Sequence, residues 1–276
     1  MDNTIYRPVV NSITDKDWEY YLSFSPWKFI QITSESLKNS NRFFVDERFT
    51  KLIFWFIFGQ ESRYEAQHLV RPNQCLYRAR IYDNTNVLTD NKSTKDASFR
   101  GYNKIGSFVP TDASKTPAGR ANPENIIYLY ASSDVDTAIA EVNPNLGDKI
   151  SVAEIKILER LFVLDLAKSI TWINAETPEQ TSWLQAFILG LSSVFQTPHR
   201  EKYDYLLCQY VSELVKNVGL DGIRFNSSKK WGGLMDGCGV NYTIFNYKKC
   251  EPVSSDLYMV NNIVIDYCKI DSGDIE

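Results

Sequence analysis

Short runs typical of β-strands and longer stretches at helical spacing succeed each other from about residue 74 onward, and this mixture constrains the fold more than any other feature of the sequence. The runs that predict strands lie at 76–81, 126–130, 150–157, 161–166, 222–225 and 242–245. The stretches that predict helices lie at about 134–142, 179–195 and 203–218. We therefore expect an α+β domain rather than a strictly alternating parallel sheet.

Residues 1–73 have a different character, and we expect a small, mainly helical N-terminal segment there, followed by one domain at 74–276. Thr14 is followed by apolar residues at helical spacing, which indicates a capped helix start, and Pro26 interrupts this pattern. Two further helices are predicted, at 45–58 and 61–70. We interpret the segment as a helical cap packed on the main domain. Covering a pocket, docking a partner and mediating homo-oligomerisation are alternatives that the sequence leaves open.

The composition excludes several classes of protein. With 43% hydrophobic and 23% charged residues, the chain can bury a sizeable core and is not disordered as a whole. Its net charge of -4, without a basic stripe, argues against binding of nucleic acid. The most apolar run, 52–58, is far shorter than the roughly 20 residues of a membrane span. The opening residues also lack the pattern of a signal peptide, so we expect a cytoplasmic protein.

Cysteine and histidine are too few and too scattered for most metal or nucleophilic sites. The five cysteines include no C-x-x-C pair, which argues against a disulfide framework and against a zinc site. Only His68 and His199 could serve a histidine-dependent nucleophile. We therefore expect chemistry that requires no metal.

Residues 119–141 are the most informative part of the sequence. They place Arg120 in a proline-rich loop, Tyr130 at the end of a strand, and Glu141 about two turns into the next helix. Arg120 can bind a phosphate or carboxylate, Tyr130 can stack on a flat ligand, and Glu141 can stabilise a positive charge or orient a sugar hydroxyl. Each also has an ordinary structural interpretation, as a solvated arginine, a half-buried tyrosine and a surface glutamate.

A set of short motifs links this region to the rest of the chain. The motifs are LYRAR at 76–80, GRANP at 119–123, IYLYA at 127–131, TAIAEV at 137–142, YLLCQ at 205–209, DGIRFNSS at 221–228 and GVNYTIF at 239–245. Together and in this order they resemble the RES-domain family, which is named for arginine, glutamate and serine residues. The resemblance extends from about residue 74 to 247.

The resemblance implies a mixed sheet with flanking helices, similar to the ADP-ribosyltransferase fold, and an activity that degrades NAD. It also implies a toxin, in several family members paired with a helix-turn-helix antitoxin. Transferred by motif, Arg78 and Arg120 would hold the pyrophosphate, and Tyr130 would pack near the nicotinamide. Glu141 would serve the nicotinamide ribose, and Ser227 would line the same pocket.

The chemistry of NAD cleavage is consistent with these residues. Nicotinamide leaves as a neutral molecule from an oxocarbenium-like state, so one carboxylate suffices and neither a strong general acid nor a metal is needed. The absence of G-x-G-x-x-G disfavours a dehydrogenase. Hydrolysis and phosphorolysis stay open, as do transfer of ADP-ribose to a protein or small-molecule acceptor and a non-catalytic module that binds NAD for regulation.

Overall fold

The computed structural model describes residues 13–58, 65–82, 101–197, 205–229 and 239–263. The helices within these residues are α1 (Asp15–Leu22), α2 (Pro26–Asn39), α3 (Glu47–Phe58), α4 (Val135–Glu141), α5 (Pro178–Gln196) and α6 (Leu206–Asn217). The strands are β1 (Gln67–Val70), β2 (Cys75–Ile81), β3 (Leu129–Ser132), β4 (Lys149–Ile157), β5 (Leu161–Asp165), β6 (Gly222–Asn226), β7 (Val240–Ile244) and β8 (Cys250–Met259). No helix among these residues is long and apolar enough to cross a membrane.

Local sequence determines where the helices begin. Thr14 caps α1 in a reciprocal arrangement, because its side chain accepts a hydrogen bond from the Asp17 amide while the Asp17 side chain accepts one from the Thr14 amide. Ser25 caps α2, and Pro26 occupies the first turn, where its missing N–H is not needed. Thr177 caps α5 in the same reciprocal way as Thr14. The interruption predicted at Pro26 is therefore the boundary between two helices, because α1 ends at Leu22 and Pro26 is the first residue of α2.

The eight strands form one mixed sheet in the order β1-β5-β6-β7-β3-β2-β4-β8. Only β5 and β6 pair in parallel, and the other neighbouring strands are antiparallel. A single residue pair, Tyr77 with Ser132, joins β2 to β3. One pair provides few ladder hydrogen bonds, so the two halves of the sheet separate beside this point and leave room for a pocket.

One face of the sheet carries the helices. Helices α1, α2 and α3 pack with α5 and α6 into one hydrophobic core, whose centre is a group of aromatic rings. The Phe49 ring lies 5.8 Å from that of Phe187, and the Trp183 ring stacks on Phe187 at 5.6 Å. A second core lies on the other face of the sheet, because Leu129 and Ala131 of β3 point into it while the intervening Tyr130 points toward the helices.

The predicted α+β fold, with a mixed sheet, flanking helices and a helical N-terminal segment, is confirmed. The helix predicted at 61–70 is wrong over its described end, because Gln67–Val70 forms β1 and pairs with β5. Sheet pairing and complete burial of Val70 outweigh the helical spacing there. The final strand β8 was not predicted, because most of its residues are exposed and do not alternate between apolar and polar. The division of the chain at residue 73 stays a prediction.

Candidate active site

A cavity of about 360 Å³ lies beside the single pair that joins β2 to β3. Arg78 of β2, Tyr130 of β3, Glu141 of α4 and Arg120 of the loop before β3 all line it. The fifth predicted site residue, Ser227, follows β6 and donates a hydrogen bond to Glu141. The fold thus brings all five residues to this cavity or beside it, while their individual roles stay predictions. No described residue of α1, α2 or α3 lines the cavity.

Glu141 reaches the cavity because α4 is short, well capped and closely packed. The Asp134 side chain accepts hydrogen bonds from the Thr137 amide and hydroxyl, which starts the helix seven residues before Glu141. Thr137 and Ala138 are almost completely buried, and α4 packs against β2. Small side chains on this face let the helix lie close to the sheet, so its last residue extends into the gap between the two halves.

The carboxylate of Glu141 is held at one oxygen by two neutral donors. Its Oε1 accepts hydrogen bonds from Ser227 Oγ at 2.5 Å and from Asn241 Nδ2 at 2.7 Å. Asn241 in turn accepts a hydrogen bond from Ser132 Oγ at 2.8 Å. No lysine or arginine among the described residues forms an ion pair with Glu141. Its negative charge is therefore held in position without being neutralised by those residues.

The hydroxyl of Tyr130 is fully occupied by the loop that carries Arg120. It accepts hydrogen bonds from the backbone amides of Ala121 at 2.9 Å and Asn122 at 3.2 Å, and it donates to Asn122 Oδ1 at 2.6 Å. Burial raises the pKa of Tyr130 to about 12, so the hydroxyl stays protonated at neutral pH. These bonds use the donor and both lone pairs, so Tyr130 can offer its ring to a ligand while its oxygen organises the loop.

Two side-chain amides complete the support of this loop. Gln209 of α6 donates to the carbonyl oxygens of Gly119 at 2.8 Å and Asn122 at 3.2 Å. The Asn122 amide donates to three further carbonyl oxygens, those of Pro117, Pro123 and Ile126. A Cβ at Gly119 would lie 2.4 Å from Asn122 Oδ1, so this close approach requires glycine. The loop is consequently held in one conformation from several sides.

Arg120 is held at the C-terminal end of α5. Its Nη1 donates to the carbonyl oxygen of Phe195 and lies 3.5 Å from that of Gln196. The last carbonyl groups of a helix have no partner within it and carry partial negative charge, so a guanidinium is stabilised there. The Arg120 side chain also lies over the Phe225 ring, with Cζ 5.7 Å from the ring centroid. Its remaining N–H groups have no hydrogen-bond partner among the described residues, so they can meet a ligand in the cavity that Arg120 lines.

Arg78 is a desolvated cation in the cavity wall. Its Nη1 donates to the carbonyl oxygen of Phe108. Desolvation of its guanidinium, together with the nearby charge of Arg80, lowers the pKa of Arg78 to about 10. Arg80 itself is held by the Gly106 carbonyl oxygen and by the Tyr102 ring. Since no described carboxylate pairs with Arg78, its side chain suits an anionic ligand.

Three polar residues of the site received no role from the sequence, namely Asn122, Gln209 and Asn241. Each lies inside one of the motifs quoted above, and Asn241 carries the one side-chain amide of β7. An amide inside a strand between two apolar motif residues is the signal that could have identified it. Within the described parts of the chain, no group of three histidine, cysteine or acidic side chains is arranged to hold a metal.

Comparison with known proteins assigns most of the chain, including every site residue except Arg78, to one domain family. A family model described as "RES domain" matches residues 93–257, which is more than half of the chain. No curated protein matches the chain. The chain is similar to one in the crystal structure of the M. tuberculosis MbcT–MbcA toxin–antitoxin complex, at 14% identity over 77% of this chain and 93% of that chain. The TM-score is 0.41, and a similarity at this level supports no conclusion about activity or partners.

Proposed function

Because the chain belongs to the RES domain family, we propose that its pocket binds NAD and that the protein cleaves the bond between nicotinamide and ribose, by hydrolysis or by phosphorolysis. The position of Glu141 carries this proposal. Its carboxylate is held at one oxygen by two neutral donors and shares the pocket with Arg78 and Arg120. An anion fixed in this way can stabilise positive charge that develops on a bound ligand.

The proposed reaction requires one carboxylate, that of Glu141, to stabilise positive charge on the ribose. The bond between the ribose C1′ and the nicotinamide nitrogen breaks, and its electron pair goes to the nitrogen, so cationic nicotinamide leaves neutral. The ribose develops an oxocarbenium-like positive charge, which Glu141 stabilises. Water then adds at C1′ to give ADP-ribose and a proton, or phosphate adds there to give the corresponding 1-phosphate. Neither route requires a protein group to protonate nicotinamide.

The two arginines support binding of the dinucleotide through its phosphates. Arg78 is desolvated and has no described carboxylate partner, while Arg120 is oriented by the end of α5. Guanidinium groups bind phosphate oxygens through paired hydrogen bonds, so both residues suit a pyrophosphate. The ring of Tyr130, whose hydroxyl is committed to the loop, is available to pack against the nicotinamide. Ser227 acts on the reaction through its hydrogen bond to Glu141.

The family resemblance also motivates a biological role. We propose that depletion of NAD makes the protein a toxin and that a helix-turn-helix antitoxin restrains it. Transfer of ADP-ribose to a protein or small-molecule acceptor would use the same bond cleavage, and a non-catalytic regulatory module would use the same pocket. These alternatives differ in their products, so one experiment can separate them.

The test is release of nicotinamide from NAD by the purified protein, followed by chromatography with and without phosphate. We expect release by the wild-type protein and a decrease of roughly 100- to 1000-fold in Glu141→Gln, which removes the charge at nearly constant shape. Glu213→Gln is the matched control, because Glu213 also accepts a hydrogen bond from a neutral donor, the Tyr128 hydroxyl, but lies on α6 outside the pocket. It should retain the wild-type rate.

The products then identify the acceptor. ADP-ribose indicates hydrolysis, and the 1-phosphate formed only in phosphate buffer indicates phosphorolysis. An unchanged rate in Glu141→Gln would refute the role of its carboxylate. Binding of NAD without release of nicotinamide, by a well-folded protein with or without a cell extract as a source of acceptors, would refute catalysis and support the regulatory module.

A further inference from the structure

Asn241 lies between Glu141 and Ser132, at a position that the ladder of the sheet determines. Asn241 and Ser132 are directly opposite each other in the antiparallel pair β3–β7, so their side chains lie side by side on the same face. Ser132 Oγ donates to Asn241 Oδ1 at 2.8 Å, and Asn241 Nδ2 donates to Glu141 Oε1 at 2.7 Å. Both Ser132 and Asn241 are buried, with 4% and 7% of their surface exposed.

These two partners allow only one orientation of the Asn241 amide. A hydroxyl can donate or accept, but the Glu141 carboxylate can only accept while it is ionised. Turning the amide over would place Asn241 Oδ1 against Glu141 Oε1, so that two acceptors would face each other without a hydrogen between them. The contact with Glu141 thus selects the orientation, and the Ser132 hydroxyl donates to the oxygen that remains.

Two donors from different parts of the sheet, one in a strand and one just after a strand, hold the carboxylate at the same oxygen. Ser227 follows β6, and Asn241 belongs to β7. A single hydrogen bond would let the carboxylate rotate about it, whereas two donors at Oε1 define its direction. Glu141 Oε2 has no partner among the described residues. We propose that Asn241, oriented by Ser132, is a positioning residue that turns Glu141 Oε2 toward the ribose of the substrate, a role that rests on the proposed function.

An aspartate at this position would test the role through charge. The charged and titratable groups of the surrounding elements include Tyr77 and Arg78 on β2, Arg120 on the loop, Tyr130 on β3, Arg224 on β6, Lys229 after β6, Tyr242 on β7, and Asp134 and Asp136 at the start of α4. None of them lies between Asn241 and Glu141, which are in direct contact. The substitution Asn241→Asp replaces the donor by a second carboxylate, and when two carboxylates are in contact the pKa of one of them is raised, because the two negative charges repel each other.

The experiment measures kcat and KM for nicotinamide release across pH for the wild type, Asn241→Asp, Asn241→Ala and Ser132→Ala. In Asn241→Asp we expect the acidic limb of the kcat profile to move up by about 1 pH unit or more. In Asn241→Ala kcat should fall about 10-fold or more while KM changes little, because Asn241 does not hold the phosphates. Ser132→Ala, which removes only the outer hydrogen bond, should give a smaller loss of kcat. Asn246→Asp, a change at an exposed turn, is the control and should keep the wild-type profile.

A readout besides activity separates this inference from the proposed function. Titration of the Glu141 carboxyl carbon by NMR, assigned with Glu141→Gln, should show a higher midpoint in Asn241→Asp than in the wild type. If the wild type released no nicotinamide, the proposed function would fail, and the role of Asn241 in turning Glu141 toward a ribose would fail with it. If the wild type is active but Asn241→Asp and Asn241→Ala keep its kcat, pH profile and carboxyl midpoint, the positioning role is overturned and the proposed function stands.

Discussion

The substitution Tyr130→Phe removes one oxygen atom from the centre of the loop that carries Arg120. In the wild-type protein this oxygen accepts hydrogen bonds from the amides of Ala121 and Asn122 and donates one to Asn122 Oδ1. Phenylalanine keeps the ring and its packing, so the variant loses only these three hydrogen bonds. It therefore isolates the contribution of the hydroxyl to the conformation of the loop.

The structure gives the expected size of the effect. Ala121 and Asn122 are only 1% and 2% exposed, so water cannot readily replace the lost acceptor. A buried polar group left without a partner costs about 1–3 kcal/mol. If each of the two amides costs about 1–2 kcal/mol, in the lower half of this range, the loss of both bonds costs about 2–4 kcal/mol. Asn122 keeps the three bonds of its amide nitrogen, so its oxygen adds about 1 kcal/mol at most. We expect the free energy of unfolding to fall by about 2–5 kcal/mol.

The assay is urea unfolding followed by tryptophan fluorescence, with the free energy obtained by linear extrapolation. Tyr210→Phe is the matched control, because among the described residues the Tyr210 hydroxyl makes one hydrogen bond, at 2.8 Å with Thr50 Oγ1. Loss of that one bond should cost about 1 kcal/mol. The KM for NAD should also rise in Tyr130→Phe, since Arg120 is carried by the same loop. If Tyr130→Phe lost no more stability than Tyr210→Phe, the reasoning about the loop would be refuted.

Two further predictions concern stability. Phe49→Ala should lower the free energy of unfolding by about 3–5 kcal/mol in a single urea transition, because the Phe49 ring is completely buried against Phe187 of α5; two separate transitions would contradict a shared core. Stability should also fall as pH rises from about 10 to about 12, because the unfolded chain releases the Tyr130 proton near pH 10 while the folded protein keeps it to about 12. The loss, up to about 1.4 kcal/mol per pH unit for this group, should be smaller in Tyr130→Phe, and an equal loss in both proteins would exclude Tyr130 as its source.

Local chemistry made much of the site predictable. The spacing of residues 119–141 placed Tyr130 on a strand and Glu141 on the following helix, and both lie there because strand ends and helix caps are specified by neighbouring residues. The contact between Glu141 and Ser227 joins residues 86 positions apart, and only the family resemblance indicated it. The hydrogen bonds of Gln209 to the loop could not be predicted, because they depend on how α6 packs against residues distant in the sequence.

The strands at the two edges of the sheet, β1 and β8, could not be predicted from sequence patterns. An edge strand pairs on one side only and need not bury alternate residues, so β8 shows no alternating pattern although it pairs with β4 along its whole length. β1 is only four residues long, too short to establish a period of two. Both strands form because a neighbouring strand offers its backbone hydrogen-bonding groups, which no local pattern encodes.

The core shared by α1, α2 and α3 with α5 and α6 determines which residues a relative without these three helices would need on α5. The family model begins at residue 93, beyond these three helices, yet Phe187 and Trp183 within the matched region are covered by aromatic rings from the helices before it. A shortened chain would expose these rings and would be prone to aggregate. A relative without such helices would need polar residues on the outer side of α5, or a second polypeptide to cover it. In this protein the aromatic rings of α1, α2 and α3 and those of α5 shield one another from solvent.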